Sequence, residues 1–162
     1  MRRKRRGPEE GEFQDPLKNY ALDYDDELER SLTEDRIGDL QIEPFTTIHP
    51  DTTIEQTIVK MVELDIGCVL VVDDQRLLGI FSERDVLLKV ADRFAEMKDT
   101  PVRDVMTPEP SYVHRPDGPA KALNLMAVSG FRHVPILNVD DKVVGVLGPR
   151  RITAYLKNHF EN

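Results

Sequence analysis

Cysteine is nearly missing from this chain. Cys68 is the only one in 162 residues, so neither an intrachain disulfide nor a cysteine-built metal site can form. It lies in the run Ile66-Gly67-Cys68-Val69-Leu70-Val71-Val72, where a cysteine packs as a small hydrophobe. Long apolar runs are missing too, since no stretch approaches the roughly 18 residues of a membrane-spanning helix. Excess positive charge is also lacking. The formal net charge of −8 argues against a nucleic-acid-binding fold, because phosphate contacts need a basic face. The opening Arg2-Arg3-Lys4-Arg5-Arg6 leads into Gly7-Pro8-Glu9-Glu10 rather than the apolar core of an export signal, so a cytoplasmic location is expected. Catalytic patterns are absent as well. His49, His114, His133 and His159 are dispersed, Ser82 has no base near it in sequence, and no Gly-x-x-x-x-Gly-Lys loop exists to hold a transferable phosphate. The expectation is a protein that is not an enzyme and holds neither a metal nor a catalytic cofactor.

What is present is a repeat. Asp39-Leu40 lines up with Asp104-Val105, Ile48-His49 with Val113-His114, Met61 with Met126 and Val69 with Val134, each 65 positions apart. Further on, Asp74-Gln75-Arg76-Leu77-Leu78-Gly79 lines up with Asp140-Asp141-Lys142-Val143-Val144-Gly145, now 66 apart, so one residue has been inserted. Each copy reads as β-α-β-β-α. A short strand, Thr46 to His49 or Ser111 to His114, precedes a helix opened by Asp51 or Asp117 as N-cap. The helix stripes are Ile54, Ile58, Met61 and Val62, and then Ala122, Leu123, Met126 and Ala127. Two apolar strands follow in each copy: Cys68 to Val72 and Leu77 to Phe81, then His133 to Leu137 and Val143 to Leu147. A last helix turns Val86, Leu87, Val90 and Phe94 inward in the first copy, and Ile152, Tyr155 and Leu156 in the second. Forty per cent hydrophobic content suffices for one compact domain or two small units sharing a core. Neither copy alone can cover its apolar strands, so the two should pack face to face about a pseudo-twofold axis, leaving clefts between them. The expected fold class is therefore α+β (α/β).

This arrangement resembles a tandem pair of CBS domains over residues 36 to 160, about three quarters of the chain. The most specific match is Gly79-Ile80-Phe81-Ser82-Glu83-Arg84-Asp85, which is similar to the family's ribose-phosphate signature. Val102-Arg103-Asp104-Val105-Met106-Thr107 and Phe131-Arg132-His133-Val134-Pro135-Ile136 are also typical of it. The implied division is an N-terminal tail and helix over 1–35, a first CBS domain over 36–98 and a second over 99–162. The resemblance implies a stand-alone regulatory module that binds AMP, ADP, ATP or another adenosyl compound, forms a homodimer and signals to an effector protein. Ser82 ends a strand and Asp85 begins a helix, so a carboxylate for ribose hydroxyls and a hydroxyl for phosphate would meet there. The same two residues would equally serve as helix caps.

The second copy of the signature is Gly145-Val146-Leu147-Gly148-Pro149-Arg150-Arg151, with Gly148 in place of the hydroxyl and Arg151 in place of the carboxylate. Arg132-His133 aligns with Gly67-Cys68, and in nucleotide-binding members of the family a basic pair at this strand position contacts phosphate. One composite cleft is thus expected, with Ser82 and Asp85 on the ribose and Arg132, His133 and Arg150 on the phosphate. The adenine would lie against Thr46, Thr47, Ile48, Val69 and Ile80. The opposite cleft would pair Gly67-Cys68 with Gly148 and Arg151 and stay empty, giving one nucleotide per chain. Arg151 either reaches the phosphate or pairs at the surface.

Leu17, Tyr20, Ala21, Tyr24 and Leu28 mark one face of a further helix, expected to pack on the module or on a second copy. Arg2 to Arg6 reads as a solvated tail. Two other functions stay open: a ligand-free dimerisation scaffold, and nucleic-acid binding led by that tail.

Overall fold

The computed structural model describes residues 24–160, so Arg2 to Arg6, Leu17, Tyr20 and Ala21 lie outside the described residues. Helix α1 (Glu27–Glu34) is capped by Asp26, whose carboxylate accepts the Glu29 N–H at 2.8 Å. In the first repeat, β1 (Thr47–Ile48) leads to α2 (Ile54–Glu63), then β2 (Cys68–Asp73) and β3 (Arg76–Ser82). A helical run over 83–97 begins as α3 (Glu83–Asp85), passes through a π-helical turn at Val86–Val90 and ends in α4 (Phe94–Met97). The link to the second repeat carries β4 (Thr107–Pro108). That repeat follows with β5 (Val113–His114), α5 (Pro119–Ser129), β6 (Val134–Leu137), β7 (Val143–Leu147) and α6 (Pro149–Phe160).

In each repeat a parallel pair precedes an antiparallel hairpin: β1 with β2 and β2 with β3, then β5 with β6 and β6 with β7. The register slips at Val71/Val72 in one hairpin and at the aligned Ile136/Leu137 in the other. Asp74 and Gln75 join β2 to β3 with φ of 45° and 67°, the left-handed pair that suits the twist of a two-residue hairpin. Arg76 and Lys142, which are aligned positions, form a bridge with each other. A residue that pairs with its own counterpart lies on a twofold axis. Around that axis Cys68, Leu70 and Ile80 pack with Phe45, Val72, Leu77, Val143 and Val146 to form a core shared by both repeats.

Sequence order and packing part company in the links. Ile37 and Ile42 precede the first repeat but are buried in the core of the second, with Val113, Val134, Ile136 and Leu147. Val102 and Val105 precede the second repeat but are buried in the core of the first, with Val69, Val71 and Phe81. Ile37 and Gly38 donate to Asp117 and Arg115 carbonyls at 2.8 and 2.9 Å, while Val102 and Arg103 donate to Thr52 and Pro50 at 2.8 and 3.2 Å. These are the same contacts moved 65 positions along the chain. Each lead-in segment therefore closes the other repeat: β4 pairs with β3, and the Val146 N–H reaches the Ile42 carbonyl at 3.3 Å. Gly145 permits that last approach. A methyl group there would lie 2.8 Å from Ile42 Cβ and 2.9 Å from its carbonyl oxygen. Gly145→Ala should cost about 1–3 kcal/mol in urea unfolding, because the obstacle is backbone and cannot rotate away. An unchanged midpoint would mean that the crossed lead-in is not packed against β7.

Several sequence expectations need correction. The helices are not opened by Asp51 and Asp117. Thr53 caps α2 by accepting the Gln56 N–H at 3.2 Å, and Gly118 with Pro119 opens α5. Asp117 instead accepts the His114 N–H and the Lys121 ammonium, both at 2.7 Å. Leu87 is 70% exposed, because the widened π turn shifts the phase and brings Val90 inward, and Phe94 is exposed as well. Val62 is 75% exposed and Ala127 also faces out, while Ile54, Met61 and Ala122 carry the buried stripes. Helix α1 packs against α5 and α6, where Tyr155 donates to Asp35 at 3.0 Å.

Candidate functional site

Between the repeats lies a cavity of about 340 Å³, at the lower end of the range for small-molecule sites. Its apolar wall is Pro44, Phe45, Ile66, Cys68 and Val146, and Thr46 lies beside it. Its charged wall is Arg132, His133, Arg150 and Arg151, with Asp65 and Glu83. Gly67, Gly148 and Pro149 complete it. Burial pushes the Cys68 thiol up to about 12, so it stays protonated and contributes apolar surface, as its setting in sequence suggested.

The histidine occupies space that two glycines leave free. A Cβ on Gly67 would lie 3.3 Å from His133 Cε1, and one on Gly148 only 2.8 Å from His133 Cδ2. The loss of a side chain at Gly148 therefore makes room for the imidazole. Burial lowers the pKa of His133. Glu83 opposes this and the charges of Arg132 and Arg151 reinforce it, so the ring is neutral at pH 7.

Arg151 does not reach outward to a surface partner. Its guanidinium donates to the carbonyls of Ile42, Pro44 and Val146, fastening the lead-in of the first repeat to the start of α6. Asp85, its counterpart in the first repeat, fastens the other lead-in. Asp85 is buried and accepts from Ser82 N–H at 2.9 Å, Ser82 Oγ at 2.7 Å, Thr107 Oγ1 at 3.0 Å and Lys89 Nζ at 2.6 Å. Burial alone would raise its pKa. The hydrogen bonds from Lys89 and Ser82 outweigh that and hold the carboxyl below its usual value.

The structure thus distributes the sequence-derived residues differently from the single composite cleft expected. Thr46, Arg132, His133 and Arg150 share one cavity, but with Gly67, Cys68, Gly148 and Arg151, the residues assigned to the opposite cleft. Ser82 and Asp85 are not among its lining residues. Nor are Thr47, Ile48, Val69 and Ile80. Ile48 and Val69 are buried in the core of the first repeat and Ile80 in the shared core, while Thr47 is exposed beside β2. Strand alternation accounts for Val69, which points to the opposite face of β2 from Cys68. Sequence reasoning missed Phe45, Asp65 and Glu83. Glu83 occupies a variable position of the signature, and its only cue was proximity to Ser82. Arg150 pairs with Asp65 at 3.6 Å, both largely exposed, and among the described residues Arg132 has no ion-pair partner.

Fold and cavity together define a tandem pair of β-α-β-β-α repeats with exchanged lead-ins and a ligand-sized cleft between them. A family model described as CBS domain matches residues 37–92 and 102–158. The chain belongs to the CBS-domain family. It is 32% identical over 110 residues to a 17.7 kDa protein of Acidianus ambivalens, covering 67% of this chain and 65% of that one. It spans less than two thirds of the length of the curated relatives it matches, and only 19% of an Arabidopsis thaliana CBS domain-containing protein, CBSCBSPB5. Among solved structures it is similar to a CBS domain protein of Pyrobaculum aerophilum complexed with AMP, at 25% identity and a TM-score of 0.68, covering 78% of this chain and 99% of that one. It is also similar to CBSX2 in complex with AMP, at 25% identity and a TM-score of 0.64, covering 76% and 97%.

Proposed function

We propose that this chain is a non-catalytic regulatory module that binds one adenine nucleotide in the cavity between its repeats and transmits the change in packing to an effector protein. The observation that carries this reading is the pairing, in one cavity, of an apolar slot at Phe45, Ile66, Cys68 and Val146 with the guanidinium of Arg132, which has no ion-pair partner among the described residues. A flat base suits the first and a phosphate the second. AMP in two similar structures points the same way. Binding would neutralise the cations that lie just before β6 and at the start of α6, and so alter the contact between repeats. We further propose a cytoplasmic homodimer, with the exposed Val59, Val62, Leu87 and Leu88 of the first repeat supplying apolar surface for it.

The test is a thermal-shift panel of AMP, ADP, ATP, NADH and S-adenosylmethionine. At a concentration about 100 times Kd the bound nucleotide should raise the midpoint by about 5–10 °C, and Arg132→Ala should remove the gain. An unchanged midpoint across the panel favours a ligand-free scaffold.

Thr107 favours a second reading for the sugar. It and Lys89 place two donors on Asp85 Oδ1, the arrangement that two vicinal hydroxyls would reproduce. If Asp85→Asn removes the gain while Arg132→Ala leaves it, the ribose belongs at Asp85 and Ser82.

A further inference from the structure

The cavity contains a carboxylate for which nucleotide binding alone supplies no task. The Glu83 N–H donates to the Gly67 carbonyl at 3.1 Å, and a Cβ placed on Gly67 would lie 3.4 Å from Glu83 Oε2. The same point is 3.3 Å from His133 Cε1, so the carboxylate and the imidazole converge over the bare backbone of Gly67. Glu83, though exposed, therefore lies against the cationic wall at His133, while Asp65 pairs with Arg150 at its rim.

The cationic capacity of that wall is smaller than its residue count suggests. Arg151 has turned its donors onto three backbone carbonyls, and Arg150 has Asp65 beside it. Three guanidinium groups face two carboxylates, leaving one net positive charge, and the imidazole adds none when neutral. A phosphate monoester brings about −1.5 to −2 at neutral pH, so a single phosphate already takes up the whole of that net charge. Each further phosphate would bring negative charge beside Glu83 with no new cation to receive it.

We infer that Glu83 is a specificity-determining residue that restricts this cavity to ligands bearing a single phosphate group, nucleoside monophosphates in preference to di- and triphosphates. The inference rests on the nucleotide reading above and names its ligand class. Near a protein surface, two like charges about 4 Å apart repel strongly enough to discriminate by about an order of magnitude.

Isothermal titration of the full chain with AMP, ADP and ATP, without divalent cations, tests it. The wild type should bind AMP at least about tenfold more tightly than ATP. Glu83→Gln, which keeps the shape and removes the charge, should tighten ATP by at least about fivefold and change AMP by less than about twofold. An AMP-to-ATP ratio unchanged by the substitution, or ATP preferred by the wild type, overturns the role of Glu83 while leaving nucleotide binding intact. No heat with any of the three overturns nucleotide binding itself, and the selectivity with it.

Discussion

Phe81→Ala should lower the unfolding free energy by about 3–5 kcal/mol and the thermal midpoint by about 10 °C or more. Phe81 is fully buried and is among the largest such side chains among the described residues. It pairs with Val69 across the β2–β3 hairpin and packs with Ile54, Val90, Val102 and Val105. Those neighbours come from α2, the π turn and the exchanged lead-in, none of which can move into the space without giving up its own contacts. The cavity cost therefore adds to the lost burial, and the whole first repeat should loosen, β4 included. Urea unfolding of the variant measures this. A loss below about 1 kcal/mol would sink the claim that the lead-in of the second repeat is part of the first repeat's core.

The second large effect is electrostatic. Removing the carboxylate in Asp85→Ala takes acceptors from Ser82, Lys89 and Thr107 at once. Lys89 is partly exposed and can turn to solvent or keep its 2.8 Å bond to the Val105 carbonyl, so the cost should be about 2–3 kcal/mol rather than that of a fully buried ion pair. The pH dependence gives an independent reading. Burial raises the Asp85 pKa, but the Lys89 and Ser82 bonds more than offset it, leaving the folded value below the ordinary 3.8. A depressed folded pKa contributes stability that is complete above the unfolded value and is lost as pH falls through the folded one. Wild-type stability should therefore decline below about pH 4. Asp117 is held low in the same sense, burial opposing and Lys121 and the His114 N–H prevailing, and contributes to the same decline. The difference between wild type and Asp85→Ala isolates Asp85: it should shrink on acidification. Two curves running parallel from pH 6 to the acid limit would show that Asp85 is not an ionised anchor.

Both predictions bear on how function would be transmitted. Asp85 and Arg151 occupy aligned positions and do the same mechanical job with opposite charge, one holding Thr107 and the other the carbonyls around Ile42. The Arg151 joint lines the cavity directly, whereas the Asp85 joint lies two residues from the cavity's Glu83. A ligand that recruits the cations of that wall acts on a structural clamp, which is how a small anion could shift the packing of the repeats.

The repeat, its strand order and its apolar hairpins could be read along the chain because they depend on local pattern: unbroken apolar runs at Cys68 to Val72 and Leu77 to Phe81, and helical stripes at Ile54, Ile58 and Met61. The twofold pairing also followed, since a 60-residue unit cannot cover two apolar strands alone. Three things were decided by tertiary structure. The exchange of Ile37 and Ile42 for Val102 and Val105 has no local signal, because an apolar residue reads the same whichever core receives it. The π turn that exposes Leu87 depends on how the helix meets its core. The site was divided by side-chain direction: the backbone of β3 and the start of α3 pass the cavity, yet it is Glu83 that lines it, while Asp85 turns to Thr107 and Lys89 and Ser82 donates to Asp85. Sequence proximity brings a residue to a cleft, but the face it presents is set by register and by its competing hydrogen bonds.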